Sequence, residues 1–175
     1  MVATHLHNDT VVNVAQLLKA RVGTVRTVIV HLDDLALDQD LEARNLEAGL
    51  TFTRIASGIL VSGEVTVTSP QVCARCLTEF EGTYVESFEA EYWPSIDVFT
   101  GLPLPGPTDD EIFVIDENHQ LDLREILRQV AILAQPIRPV CGPDCPGFQS
   151  LLPNSEDIAD ARLAVLQALL DDRAD

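Results

Sequence analysis

Hydrophobic and polar residues alternate most clearly along the segment that begins at Ile59. One side of this alternation is apolar or small, and it consists of Ile59, Val61, Gly63, Val65 and Val67. The other side is polar, and it consists of Ser62, Glu64, Thr66 and Thr68. A two-residue period of this kind predicts an antiparallel strand with one buried face. Residues 51–55, which precede a Ser-Gly turn, are expected to form its hairpin partner.

Other segments also have the composition of strands. Residues 25–32 are rich in Val, Ile and Thr, and residues 83–93 are expected to form a strand as well. The second of these strands carries on one face Tyr84, Phe88, Ala90 and Tyr92. Residues 35–45 are acidic and indicate no element clearly. Residues 94–110 contain four prolines and two glycines and are expected to form an acidic, Pro-rich loop, followed by a candidate edge strand at 112–115.

A short N-terminal helix is expected over residues 11–21, where Val14, Leu17 and Leu18 recur at helical spacing before Gly23. The residues ahead of it, 1–10, are expected to be mobile.

Two later segments predict longer helices. One begins at Asp122, which with Glu125 resembles a capping box, and it stops before Pro136. Its apolar face consists of Leu123, Ile126, Leu127, Val130, Ala131 and Ala134. The other covers residues 156–170. The elements together predict an α+β fold, with an antiparallel β-sheet, a short N-terminal helix and two later helices in one domain over residues 1–175.

The chain is acidic, and most of the charge lies in its second part. The net charge is −17; residues 1–75 carry 6 Lys+Arg against 8 Asp+Glu, whereas residues 76–175 carry 5 against 20. Nucleic-acid binding depends largely on the neutralisation of phosphates, so this second part is expected to repel RNA. A basic protein is the easier electrostatic match, although the charge could equally serve only solubility.

The start of the chain and its apolar stretches bear on its location. No apolar stretch approaches the roughly 20 residues needed to span a bilayer. The first residues resemble neither a signal peptide nor a transit peptide. We therefore expect a cytoplasmic protein with no membrane partner, in a compartment where disulfides rarely persist.

The four cysteines form two short pairs, Cys73-x-x-Cys76 and Cys141-x-x-x-Cys145. Four thiolates that converge on one tetrahedral metal ion are typical of a structural zinc site, so we expect one zinc per chain that staples the fold. Two alternatives remain open. Cys73 and Cys76 could form a thiol–disulfide centre in which Arg75 lowers a thiolate pKa. The four residues could also be unrelated buried thiols.

The histidines and the remaining motifs indicate no further site. His5 and His7 lie in the segment that is expected to be mobile, and His31 and His119 are expected to be ordinary surface or half-buried residues. The sequence contains no phosphate-binding glycine loop, no nucleophile elbow and no H-E-x-x-H zinc motif. It therefore predicts a protein that is not an enzyme and indicates no small-molecule substrate.

Five segments together have the order and spacing of a known family. They are Gly58-Ile-Leu-Val-Ser-Gly63, Cys73-Ala-Arg-Cys76-Leu77-Thr-Glu-Phe80, Leu121-Asp-Leu123-Arg-Glu-Ile126, Leu133-Ala-Gln-Pro136 and Cys141-Gly-Pro-Asp-Cys145-Pro-Gly147. In these segments the chain resembles the YceD-like family of large ribosomal RNA subunit accumulation proteins. The resemblance implies a non-enzymatic bacterial factor that supports the accumulation or processing of large-subunit (23S) ribosomal RNA and ribosome assembly.

The resemblance also implies partners, namely the large ribosomal subunit precursor, its rRNA or a basic ribosomal protein. A face that touches RNA or such a partner is expected to lie toward the arginines of the less acidic part, which are Arg21, Arg26, Arg44, Arg54 and Arg75. Of these, Arg44, Arg54 and Arg75 are predicted to contact RNA or the partner. Two other functions remain as alternatives: a CxxC dithiol oxidoreductase, and an acidic chaperone-like binder of a ribosomal protein without RNA contact.

Overall fold

Long strands dominate the architecture. The computed structural model of the chain describes residues 3–39, 41–106 and 113–147. The strands in these residues are β1 Thr4–His7, β2 Val11–Asn13, β3 Val25–Asp38, β4 Leu41–Arg54, β5 Ile59–Val72, β6 Glu79–Pro94, β7 Phe113–Ile115 and β8 Gln120–Asp122. The helices in the same residues are α1 Ala15–Lys19 and α2 Arg124–Leu133.

Six of the strands form one sheet in the order β1-β3-β4-β5-β6-β7. The four long strands, β3 to β6, form three consecutive antiparallel pairs, so short hairpin connections suffice between them. At the two edges, β1 pairs parallel with β3 and β7 pairs parallel with β6. The strands β2 and β8 form a separate antiparallel pair, which joins the start of the chain to the residues just before α2.

The inner face of the sheet and the apolar side of α2 share one core. The buried residues of α2 are Ile126, Leu127, Val130 and Ala131, and the helix contacts β3, β5 and β6. Tyr92 is among the largest fully buried side chains, and its hydroxyl donates a hydrogen bond to the carbonyl oxygen of Asp122 at 3.2 Å. A buried tyrosine requires such a partner for its hydroxyl group. This bond therefore ties β6 to the residue just ahead of α2.

A β-bulge in β4 changes which residues of the sheet point inward. An extra residue of β4 lies opposite β5 between Arg44 and Glu47, and Asn45 has a left-handed φ of 50°. The buried position of β4 therefore shifts from odd-numbered to even-numbered residues after Ala43. The buried residues that follow are Leu46, Ala48, Leu50 and Phe52. The buried residues of β3 change parity at the same level, and they are Val28, Val30, Leu32, Leu35 and Leu37. Both long strands thus stay in the sheet across a break in their alternation.

The expected α+β class is wrong, because the fold is mainly β. Strands make up 53% and helices 11% of the described residues. The helix expected over residues 11–21 is replaced by β2 and by α1, which has only five residues. The long strands also extend beyond their predicted bounds, and the acidic residues 35–45 belong mostly to β3 and β4. Cross-strand pairing and the burial of alternate residues outweigh the weak local preferences of these segments.

Several of the expected elements agree with the structure. The predicted inward faces of β5 and β6 are the buried or half-buried faces, and α2 ends ahead of Pro136. The predicted start of this helix at an Asp122 capping box is wrong, because α2 begins at Arg124 and its N-cap residue Leu123 has no side-chain cap. Asp122 lies in β8 and accepts a hydrogen bond from the Arg124 N–H at 2.8 Å. The structure differs at the start of the chain, where residues 4–7 were expected to be mobile but form β1.

Two expectations concern residues that the structure does not describe. The helix predicted over residues 156–170 and the part of the Pro-rich loop from residue 107 onward lie outside the described residues. Among the described helices, neither is long and apolar enough to cross a membrane.

Candidate metal centre

The first cysteine pair lies in the tight turn that connects β5 to β6. The Leu77 N–H donates to the Cys73 carbonyl oxygen at 3.0 Å, and the Cys73 N–H donates to the Thr78 carbonyl oxygen at 3.0 Å. Leu77 closes the turn with a left-handed φ of 59°. These backbone bonds hold Cys73 and Cys76 on the same turn, which positions their two sulfur atoms together.

The second cysteine pair follows α2 and comes back to the first turn. The Ala74 N–H donates to the Pro139 carbonyl oxygen at 2.8 Å, which places residues 139–145 beside the β5–β6 turn. Within the second pair, the Cys145 N–H donates to the Gly142 carbonyl oxygen at 3.3 Å. The structure thus brings all four predicted cysteines together, although the two pairs are 64 residues apart in sequence.

The distances between the sulfur atoms match a tetrahedral thiolate site. The Sγ atoms of Cys73 and Cys145 are 3.6 Å apart, those of Cys76 and Cys141 are 3.8 Å apart, and all four lie within 4.8 Å of one another. A tetrahedral zinc ion with Zn–S bonds of about 2.3 Å requires sulfur atoms about 3.8 Å apart. A disulfide requires about 2.05 Å, and all four cysteines are free. The set therefore fits one tetrahedral metal ion.

Backbone N–H groups stabilise the thiolate form of Cys73. The N–H groups of Arg75 and Cys141 both point at Cys73 Sγ, each at 3.5 Å. The N–H groups of Cys76, Cys141 and Arg75 together lower the pKa of the Cys73 thiol to about 5, against the opposing effect of burial. Because the thiolate is the metal-binding form, Cys73 is prepared as a ligand at neutral pH.

The thiols of Cys76 and Cys141 differ in how readily they ionise. The hydroxyl and N–H groups of Thr78 lower the pKa of Cys76. In contrast, hydrogen bonding with the Cys145 thiol raises the pKa of Cys141 to about 12. Adjacent thiolates repel one another, so the second turn keeps a proton until a cation compensates the negative charge. A cation held between the two turns would favour ionisation of Cys141.

The three candidate contact arginines do not lie together. Arg54 donates to three backbone carbonyl oxygens, which makes it part of the fold near the start of the β4–β5 hairpin turn. Arg44 pairs with Glu81 at 3.1 Å and lies ten residues away along β4, about 33 Å in an extended strand. Arg75 is exposed on the cysteine turn. Contact with RNA or a partner stays a prediction for Arg44, Arg54 and Arg75.

Some residues of the centre were not identified from the sequence. Thr78 tunes Cys76, and Pro139 anchors the second pair to the first turn through its carbonyl oxygen. Thr78 could have been identified from its position two residues after Cys76, where the cysteine turn ends. Pro139 gave no signal, because a backbone carbonyl becomes a partner only when the fold brings it there.

Comparison with known proteins places these residues in a family. A family model described as large ribosomal RNA subunit accumulation protein YceD matches residues 61–170, which contain both cysteine pairs. The chain is also similar to proteins of Mycobacterium tuberculosis and Mycobacterium bovis that are described as uncharacterized, at 32% identity over 120 residues. These alignments cover 68% of the chain and 54% of each relative, so the chain spans about half the length of the curated relatives it matches. No solved structure gives a significant match.

Proposed function

Because the chain belongs to the YceD family of large ribosomal RNA subunit accumulation proteins, we propose that it is a non-enzymatic cytoplasmic factor that supports accumulation of 23S ribosomal RNA and assembly of the large subunit. The observation that carries this proposal is the family match over residues 61–170. That range includes β5, β6, α2 and the whole cysteine centre, so the matched part is the part that the metal would hold together.

We propose that the cysteine centre binds one structural zinc ion per chain through Cys73, Cys76, Cys141 and Cys145. Four thiolate ligands leave no position for water, which favours a structural over a catalytic ion. Sulfur contacts of 3.6 and 3.8 Å join the two turns, from Cys73 to Cys145 and from Cys76 to Cys141. This arrangement supports a shared metal more than a dithiol within Cys73-Ala-Arg-Cys76.

The outer face of β5 and β6 suggests the partner. Since residues of β6 alternate between the two faces of the sheet, one face carries a row of carboxylates. The row, here called the acidic face, consists of Glu64, Glu79, Glu81, Glu89 and Glu91. Arg44 of β4 pairs with Glu81 at one end of the row, and no Lys or Arg occurs between Arg75 and Arg124. We propose that this face meets a basic ribosomal protein of the large-subunit precursor, because phosphate groups of RNA would be repelled there.

Depletion of the protein tests the ribosomal role. We expect the ratio of large-subunit to small-subunit RNA to fall on depletion, free small subunits to accumulate on a gradient, and the wild-type chain to restore both. An unchanged ratio and an unchanged gradient would refute the role for this protein.

The acidic face has its own test by charge reversal. Glu89→Lys on the acidic face is expected to reduce rescue of the depleted strain, because it places a positive charge against a basic partner. Glu117→Lys is the matched control, since Glu117 is exposed in the turn before β8, away from this face. Equal rescue by both variants would contradict the acidic face as the contact.

Salt-titrated RNA binding distinguishes a protein partner from RNA, because strong RNA binding at low salt would favour direct RNA contact instead.

The metal is tested on protein purified without chelator. We expect close to one zinc per chain, lost in Cys76→Ser. A content far below one metal per chain in the wild type would contradict the zinc centre while leaving the ribosomal role open.

A further inference from the structure

A second group of metal-ligating side chains lies on the outer face of the sheet, outside residues 61–170. It consists of His7, His31 and Asp33, whose ligand atoms lie within 4.8 Å of one another. His7 and His31 are register partners on the parallel strands β1 and β3, so their side chains project from the same face. We propose that these three residues bind a divalent first-row transition-metal ion, in a site separate from the cysteine centre.

The distances between the ligand atoms suit such an ion. Asp33 Oδ1 lies 3.3 Å from His31 Nε2 and 3.8 Å from His7 Nε2. Metal bonds of about 2.1 Å to nitrogen and oxygen place neighbouring ligand atoms about 3.0 to 3.4 Å apart. His7 is 66% exposed at its side chain, so a small rotation of an unconfined imidazole closes the remaining gap. The two imidazole rings already lie with their centroids 5.0 Å apart.

Neighbouring residues hold the ligands in place. His31 Nδ1 lies 3.6 Å from Glu47 Oε1, on the side of the ring opposite Nε2. Glu47 thus takes the position that carboxylates take behind metal-bound histidines, while Nε2 of the same ring faces Asp33. Glu47 is the register partner of His31 on β4, so the strand pairing places this carboxylate.

Asn8 fixes the aspartate in the same way. Its side-chain amide donates to Asp33 Oδ2 at 2.7 Å, and its Oδ1 accepts from the Asp33 N–H at 2.9 Å. The Asn8 N–H also donates to the His31 carbonyl oxygen at 2.8 Å. Asp33 Oδ2 is therefore occupied by Asn8, whereas Oδ1 faces the two imidazoles. Asp33 is thus arranged to act as a monodentate ligand through Oδ1.

The donor set determines the class of ion. Two imidazole nitrogens and one carboxylate oxygen suit Zn²⁺, Ni²⁺, Co²⁺ or Fe²⁺ rather than Ca²⁺ or Mg²⁺, which prefer oxygen ligands alone. Three protein ligands on an exposed face leave coordination positions for water or for a group of a binding partner. The site is thus open, in contrast to the four-thiolate centre.

Calorimetric titration with Ni²⁺ tests the proposal on the full chain with its cysteine centre already loaded. Tetrahedral thiolate sites suit zinc, whereas imidazole ligands accept Ni²⁺, so a further equivalent of Ni²⁺ reports the second site. We expect one additional ion per wild-type chain, loss of saturable binding in His31→Ala, and an affinity about tenfold weaker in Glu47→Gln. His5→Ala is the matched control, because His5 is an exposed histidine on the same face of β1 outside the ligand set.

Two results would overturn the site. Absence of further Ni²⁺ binding in the wild type would leave the group as surface ion pairs only. Equal weakening in His5→Ala and His31→Ala would mean that a histidine-rich strand binds the ion without a defined site. Thermal unfolding of each metal-free variant shows whether the fold is retained, and the exposed positions of these side chains make retention the expectation.

Discussion

Gly63 has no room for a side chain, because the backbone of the neighbouring strand lies against it. A Cβ at this position would overlap the carbonyl oxygen of Gly49 on the neighbouring strand and lie 2.9 Å from Leu50 Cδ2. We expect Gly63→Ala to lower the free energy of unfolding by about 1–3 kcal/mol, because β4 and β5 must separate locally. Urea unfolding measures the difference.

Gly49 supplies the matched control for that substitution. It lies on the neighbouring strand β4, opposite Glu64, but a Cβ there meets nothing within 4 Å. Gly49→Ala is therefore expected to change the free energy of unfolding by less than about 0.5 kcal/mol. Equal losses from the two substitutions would contradict the steric explanation.

The side chain of Glu125 gives the protein a measurable acid response. Two hydrogen bonds from Arg128, at 2.8 and 3.0 Å, and one from Gln129 hold the pKa of Glu125 at about 2. Since the folded pKa lies below the unfolded one, this stabilisation is full above the ordinary glutamate pKa and is lost as the pH falls toward 2. The pair is largely exposed, so its contribution at neutral pH is expected to be only about 0.3–0.5 kcal/mol.

Thermal unfolding of wild type and Glu125→Gln between neutral and strongly acid pH tests this expectation. The variant should be slightly less stable at neutral pH, and the difference should shrink as the carboxylate becomes protonated. A difference that stays constant across the pH range would show that the ionised carboxylate is not its source.

At the scale of elements, Asp122 links β8, β2 and α2. Its Oδ1 accepts from the Thr10 hydroxyl at 2.7 Å and from the Arg124 N–H at 2.8 Å. Thr10 is only 5% exposed, so its hydroxyl would be left without this acceptor in Asp122→Ala. We expect that substitution to cost about 1–2 kcal/mol of unfolding free energy, as the loss of a helix cap does.

Asp122→Asn keeps an oxygen at the same place and is the control. It should cost clearly less than Asp122→Ala in urea unfolding, and hydrogen exchange in the first turn of α2 should be faster only in the alanine variant. Similar losses in both variants would assign the effect to charge rather than to the shared acceptor.

The elements also show where sequence reasoning succeeds and where it stops. The alternation along β5 and the apolar stripe of α2 are local patterns, and both are confirmed. The extension of β3 and β4 was missed because both strands change parity near Asn45, which breaks the two-residue period that identifies a strand. The length of α1 was overestimated. Three apolar residues at helical spacing indicate a helical turn, but they do not show how many turns follow.

The candidate sites follow the same division. Cysteine spacing within each turn is local and was visible in the sequence. The N–H groups that point at Cys73 and the pairing of His7 with His31 depend on turn geometry and strand register. Neither is encoded in a short window of residues, so neither could be predicted.

At the scale of the whole molecule, the cysteine centre lies beside the core and not within it. None of the four cysteines belongs to the main cluster of buried hydrophobic residues. Removal of the proposed zinc ion is therefore expected to leave the sheet folded, to lower the Tm by about 5 °C or more, and to free residues 139–147 from the β5–β6 turn.

Circular dichroism and hydrogen exchange on chelator-treated protein check this expectation. The β signal should persist at room temperature, while exchange should rise around residues 73–78 and 139–147 and recover when zinc is returned. Complete unfolding on chelation would contradict it and would make the metal a condition of folding, as it is in small zinc fingers.

The separation of the two cysteine turns has a consequence for the order of events during synthesis. The chain leaves the translating ribosome in one direction, and 64 residues must follow Cys76 before Cys141 emerges. At about 5–20 residues per second, the first turn waits about 3 to 13 s with only two thiols available to a metal. Full coordination therefore requires that α2 has been made and has folded back, so a filled four-sulfur centre would report that a chain has completed its long-range assembly.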